Sequence, residues 1–184
     1  MANPLPSAIA FDALSRGADV EDFVTFYNPA SGNTAVWDIS LNNGTNGATN
    51  TIQSMQGFFL KASGSDATVS VDEVDKVNDN GGGFFGGNVQ SAVPALRLRI
   101  ASEINTFSDE TMVVFSEGSP ALEGDDVPKY VFAAPTAPQV ATLAPNGQQL
   151  AINAYGSIDE GLSIPVSVNA GVSGTYSLTV VAQG

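Results

Sequence analysis

Ile52-Gln53-Ser54-Met55-Gln56-Gly57-Phe58-Phe59-Leu60-Lys61-Ala62 is the densest apolar and aromatic run in the first half of the chain. Met55, Phe58, Phe59 and Leu60 place four bulky residues in six positions. That is too many for a strand with one wet face, whose side chains alternate between core and solvent. A strand covered on both faces accepts such a run. The stretch is therefore expected to be a central strand of a sheet packed on a second layer. Gly57 would let another backbone pass close beside it.

The flanking sequence points to the same class of fold. Phe23 to Tyr27 alternates, with Phe23, Thr25 and Tyr27 on one face and Val24 and Phe26 on the other. Asn28-Pro29-Ala30-Ser31-Gly32-Asn33 reads as a turn and Thr34 to Ile39 as the returning strand of a hairpin. Residues 42–50, rich in Asn, Gly and Thr, read as a surface loop. Thr68 to Val71, Leu96 to Ile100, Met112 to Phe115, Tyr130 to Phe132, Gln149 to Ala154, Ile164 to Val168 and Thr175 to Val181 read as further strands. No long segment carries a convincing 3.6-residue period, so helix is confined to a turn or two near residues 8–16. About ten short strands separated by turns predict an all-β fold. The expected form is a two-sheet, jelly-roll-like β-sandwich with long Gly- and Asn-rich loops. One domain over residues 1–184 is expected, with any subdivision near 89–95. Its core should unite Phe58, Leu60, Leu98, Ile100, Val113, Phe115, Ile152, Val166 and Leu178.

Composition removes several kinds of chemistry. The chain has no cysteine and no histidine. Disulfides, thiolate metal sites, cysteine nucleophiles, Ser-His-Asp catalysis and imidazole-ligated metals are thereby excluded. Six basic against nineteen acidic residues give a net charge of −13. Such a chain repels nucleic acid and anionic membranes, whereas cations remain suitable partners. No apolar stretch approaches the ~20 residues of a membrane-spanning helix. The opening Met-Ala-Asn-Pro-Leu-Pro has neither the basic nor the apolar region of a signal peptide.

Several phrases recur together in one kind of protein. They are Asn3-Pro4-Leu5-Pro6-Ser7-Ala8, Tyr27-Asn28-Pro29, Met55-Gln56-Gly57-Phe58-Phe59-Leu60-Lys61-Ala62 and Asp109-Glu110-Thr111-Met112-Val113-Val114-Phe115. Asp126-Val127-Pro128-Lys129-Tyr130, Leu150-Ala151-Ile152-Asn153-Ala154 and Ser173-Gly174-Thr175-Tyr176-Ser177-Leu178 follow in order. In this the chain resembles the β-rich region that precedes the sorting signal in large surface and secreted proteins. Those proteins are exported by type IX secretion in gliding, polysaccharide-degrading Gram-negative bacteria. The resemblance implies an extracellular or cell-surface accessory module rather than a catalytic unit. Its partners would be polysaccharide or neighbouring domains of a parent protein, and no functional residues carry over.

Three constellations could carry function. The first is acidic: Asp109, Glu110, Glu117, Glu123, Asp125 and Asp126. Calcium takes six to eight oxygens, and Asp109, Glu123, Asp125 and Asp126 could supply some of them from sandwich loops. The competing reading pairs these carboxylates with Lys129, Arg97 and Arg99. If loop 116–128 folds back to Asp109-Glu110, either Lys129 or a calcium ion must sit between the like charges. The second constellation is aromatic: Tyr27 and Trp37, with Phe84 and Phe85. Exposed rings beside the amides of Asn28, Asn33, Asn42 and Asn43 would suit carbohydrate, whereas buried rings would be core. The third is a Glu123–Asp125 pair acting as glycosidase acid and base. The glycine-rich segment 79–87 lacks the lysine and following helix of a phosphate loop. The expected function is a non-catalytic extracellular accessory module serving structure, adhesion or assembly. A carbohydrate-binding module of a polysaccharide-degrading enzyme is the alternative, and a glycosidase is a remote one.

Overall fold

The computed structural model describes residues 1–78, 93–116, 125–156, 158 and 160–183. The chain is all-β: fifteen strands and two single turns of 3-10 helix, at Phe11–Ala13 and Glu73–Asp75, are found among the described residues. No described helix is long and apolar enough to cross a membrane. The chain divides into two compact units, residues 1–27 with 35–89 and residues 28–34 with 90–184.

The first unit contains β1 (Ile9–Ala10), β2 (Ser15–Arg16), β3 (Val20–Asn28), β4 (Asn33–Asp38), β5 (Asn43–Gly44), β6 (Thr51–Ile52), β7 (Phe59–Ala62) and β8 (Val69–Ser70), except that Asn28, Asn33 and Thr34 at the β3–β4 turn belong to the second. A four-stranded sheet runs β5-β4-β3-β7, and β1-β6 and β2-β8 form two short ribbons. Val24 and Phe26 from β3, Trp37 from β4, Ile9, Phe11, Ile52 and Phe58 form one buried cluster. The sheet and the β1-β6 ribbon are thus two layers around a common core. Residues 42–50 are less exposed than their composition implies. Asn43, Thr45 and Ala48 are buried, and Gly44 pairs with Trp37. A Cβ on Gly44 would lie 2.5 Å from the carbonyl oxygen of Val36, so only glycine fits there.

The stretch 52–62 is not one central strand. β6 ends at Ile52 and a turn follows, in which the Gln53 N–H donates to the side-chain oxygen of Gln56 (2.8 Å). Met55 adopts a left-handed φ of 63° there. Buried Asn3 closes the turn, its Nδ2 donating to the carbonyls of Ile52 and Gln53 (both 3.1 Å). Gly57 does bridge to Ala2. Yet a Cβ at Gly57 would meet only the Met1 carbonyl oxygen, at 3.8 Å, so the contact does not demand glycine. β7 then lies at the end of its sheet, with Phe58 1% and Phe59 45% exposed. The bulky residues are shared between a core position, an exposed edge and an exposed turn, which is why no doubly covered strand is needed.

The second unit contains β9 (Ala95–Ser102), β10 (Ser108–Phe115), β11 (Val127–Pro128), β12 (Gln139–Leu143), β13 (Gln149–Tyr155), β14 (Val166–Asn169) and β15 (Tyr176–Gln183). They form a seven-stranded sheet in the order β14-β12-β13-β10-β9-β15, with β11 also paired to β13. β10 and β13 run parallel; the other pairs are antiparallel. Ile100, Met112, Val114, Val127, Val140, Leu150 and Ile152 are buried. Of the expected core, Val166 and Leu178 are instead exposed. They lie on β14 and β15, the two ends of the strand order, each with one strand neighbour among the described residues. Leu60, Leu98 and Phe115 are only partly buried. Tyr130 to Phe132 is not a strand, and Val131 and Phe132 face solvent.

Adjacent residues give a sharp test of this arrangement. Phe58→Ala should cost about 3–5 kcal/mol, the usual loss for a buried phenylalanine. Phe59→Ala should cost within about 1 kcal/mol, as exposed positions do. Urea unfolding of the two variants measures this, and equal losses would contradict the division of the run.

Candidate functional site

The acidic constellation resolves into backbone struts. Asp109 and Thr111 lie inside β10 rather than before it, so alternation turns both inward while Glu110 points to the other face. Asp109 is fully buried, and its Oδ2 lies 2.5 Å from Lys129 Nζ. The same oxygen accepts the Val140 N–H (2.8 Å). Lys129 Nζ also donates to the carbonyls of Val140 (2.7 Å) and Glu110 (3.1 Å). An ammonium has three donors, and here three acceptors meet it. Burial pushes the Lys129 pKa down, and the Asp109 carboxylate opposes that shift. Thr111 Oγ1 lies within hydrogen-bond distance of the carbonyls of Leu150 and Ala151 and accepts the Thr142 N–H.

Asp126 is also buried, and its Oδ1 accepts the Ala154 N–H (2.9 Å). Asp125 is exposed on a turn. Glu123, named both as a calcium ligand and as a glycosidase carboxylate, lies outside the described residues, as does Glu117. Among the described residues no group of three or more Asp and Glu side chains could hold a metal ion. Of the two occupants weighed for the space beside Asp109, the structure places Lys129 there.

The aromatic constellation is largely internal. Trp37 is 3% exposed and belongs to the core of the first unit, so its ring offers no face to a sugar. Asn28 and Asn33 are buried as well. Asn28 Oδ1 accepts the Ala30 N–H (3.0 Å) within the turn. Asn33 Nδ2 donates to the carbonyls of Ser108 (3.0 Å) and Pro138 (2.8 Å). These amides satisfy backbone groups and cannot also read a ligand. Asn43 Oδ1 accepts the Gly44 N–H. Of the four residues Tyr27, Trp37, Asn28 and Asn33, Tyr27 alone reaches the surface, at 43% exposure. Phe84 and Phe85 lie outside the described residues.

A different surface has the shape of a site. Arg97, Arg99 and Ala101 of β9, Glu110 of β10, and Ser177, Thr179 and Val181 of β15 line an open concavity of about 400 Å³. Register explains the grouping. Arg99 stands opposite Glu110 on one side and Thr179 on the other, while Arg97 and Ala101 face Val181 and Ser177. Arg97 Nη1 binds Glu110 Oε1 at 2.6 Å. The Glu110 carboxylate is thus drawn diagonally away from the arginine directly opposite it. Arg99 is exposed, and its Nη2 donates to Ser108 Oγ at 3.3 Å. The alternation in Leu96-Arg97-Leu98-Arg99-Ile100 marks this face as wet. The strands that complete the concavity could not be assigned as neighbours from sequence alone.

No family model, no curated protein and no solved structure matches the chain.

One buried acid stands apart from these groups. Asp38, at the end of β4, is buried, and its Oδ1 accepts from Ser40 Oγ (2.5 Å) and the Leu41 N–H (3.0 Å). Burial pushes its pKa above the ordinary 3.8, against the lowering effect of those bonds. The folded chain therefore keeps this proton at pH values where the unfolded chain has released it. The resulting stabilisation is complete below 3.8 and is lost as pH rises through the folded-state pKa. Stability measured against Asp38→Asn should therefore shift in favour of the native chain as pH falls from about 7 to about 4. A constant difference, or a shift the other way, would contradict the burial of this carboxyl.

Proposed function

We propose that the chain is a non-catalytic accessory module of a larger extracellular or cell-surface protein, with the open face of β9, β10 and β15 as its binding surface. One observation carries the reading. Asp109 and Asp126, two of the carboxylates weighed as metal ligands, and Lys129, weighed as their ion-pair partner, are bonded inward to the backbone of neighbouring strands. Among the described residues, the polar groups lining the concavity are the Arg99 guanidinium, the Ser177 and Thr179 hydroxyls and the paired Arg97 and Glu110. They bind; they do not supply an acid and a base. Among the described residues, Glu110 is the one carboxylate lining that face, and it is held by Arg97, whereas glycoside hydrolysis uses two carboxylates across the bond. The resemblance to regions preceding type IX sorting signals supports the extracellular setting. The structural and adhesive roles fit two end strands that expose Val166, Val168, Leu178 and Val180.

Carbohydrate binding is the second reading, favoured by the hydroxyl-flanked arginine rather than by the aromatic rings. A panel of polysaccharides incubated with the protein and assayed for new reducing ends tests the non-catalytic part. No release is expected on any member. Release that Glu110→Gln abolishes would assign hydrolysis to this face instead.

A further inference from the structure

Resting on the binding role of the β9–β10–β15 face, we infer that it reads a carboxylate-bearing sugar, with Arg99 as the carboxylate's partner. The first observation is electrostatic. Five of the six basic residues are in ion pairs: Arg16 with Asp22, Lys61 with Glu21, Lys76 with Glu73, Arg97 with Glu110 and Lys129 with Asp109. Among the described residues, Arg99 is the basic side chain with no carboxylate partner. It is also exposed, on the middle strand of the concavity. A guanidinium presents five donors in a planar fork that fits a carboxylate bidentately. The Ser108 hydroxyl engages a single one of them, at 3.3 Å.

The second observation is what surrounds that fork. Ser177 and Thr179 are exposed on β15, and register sets Thr179 directly beside Arg99. Their hydroxyls can both donate to and accept from ligand hydroxyls. Val181, 48% exposed, gives the same face an apolar patch for the C–H side of a sugar ring. The concavity of about 400 Å³ falls within the ~300–1,000 Å³ typical of small-ligand sites.

The third is the charge of the whole chain. At −13 the protein repels densely charged chains such as phosphodiesters at long range. A ligand that suits this face carries its negative charge singly, on a neutral polyhydroxyl body. A uronic-acid residue has that chemistry.

The test uses the full chain, isotopically labelled, and follows backbone amides of β9 and β15 by NMR. It is titrated with a neutral oligosaccharide bearing a single galacturonate residue, with the methyl ester of that residue, and with acetate at equal ionic strength. The acid form should saturate the site and bind about tenfold or more tightly than the ester, the usual worth of a charge-assisted pair. Arg99→Gln should reduce binding of the acid to that of the ester with melting unchanged. Arg99→Lys should recover part of it, since an ammonium restores the charge without the fork. Thr179→Val should weaken binding several-fold. Equal binding of acid and ester, indifference to Arg99→Gln, shifts reproduced by acetate alone, or no saturation would each overturn the inference. Neutral glycans that bind the native chain and the Arg99→Gln variant equally, and as tightly as the acid binds the native chain, would leave the accessory-module reading standing while removing Arg99 as the reader.

Discussion

The second unit depends on how the backbone of β13 and its neighbours is satisfied where strands part. β12 pairs with β13 at Thr142 and Leu143, while β10 pairs with it from Ile152 onward. Between those pairings no described strand pairs with Val140 on that side. A buried, unmatched backbone group costs about as much as a lost hydrogen bond. Asp109 and Lys129 fill the gap, one accepting from the Val140 N–H and the other donating to its carbonyl. Thr111 Oγ1 also accepts the Thr142 N–H, and Asp126 Oδ1 the Ala154 N–H. Side chains stand in for a missing ladder, and the charges of Asp109 and Lys129 balance one another in the interior.

This division of labour shapes the surface. In Asp109-Glu110-Thr111, strand alternation sends the first and third residues inward as struts and leaves Glu110 to meet Arg97. With Glu110 drawn to Arg97, Arg99 faces the concavity unopposed. The hydroxyl-rich side of β15 then completes a face that would otherwise be a flat stretch of sheet. Interior satisfaction and the shape of the exterior face come from one register.

Much of the fold was legible in the sequence because it follows from period-2 alternation and turn residues. The β3–β4 hairpin, β9, β10, β13, β14 and β15 all fall where those patterns lie. Ile52 to Ala62 misled because apolar density does not reveal a turn closed by Asn3, some fifty residues away in the chain. Val166 and Leu178 carry the alternation of core residues, but their strands are the ends of a sheet, and strand order is a tertiary fact. Residues 42–50 looked like solvent-facing loop because Asn and Gly are read by their polarity. There they serve close packing against β4. At the site, the sequence named the struts Asp109, Asp126 and Lys129 but not the backbone groups they hold. It marked Arg97 and Arg99 as a wet face without the neighbours that give the face its shape.

A double-mutant cycle on Asp109 and Lys129, followed by urea unfolding, tests the strut account most directly. Lys129→Met leaves a buried carboxylate and two carbonyls without their donor, and should cost about 3–5 kcal/mol. Lys129→Met combined with Asp109→Asn removes both charges and should cost clearly less than the sum of the single variants, with a coupling of about 1–3 kcal/mol. Strict additivity, or a Lys129→Met variant as stable as the native chain, would show that this pair does not hold the diverging strands together.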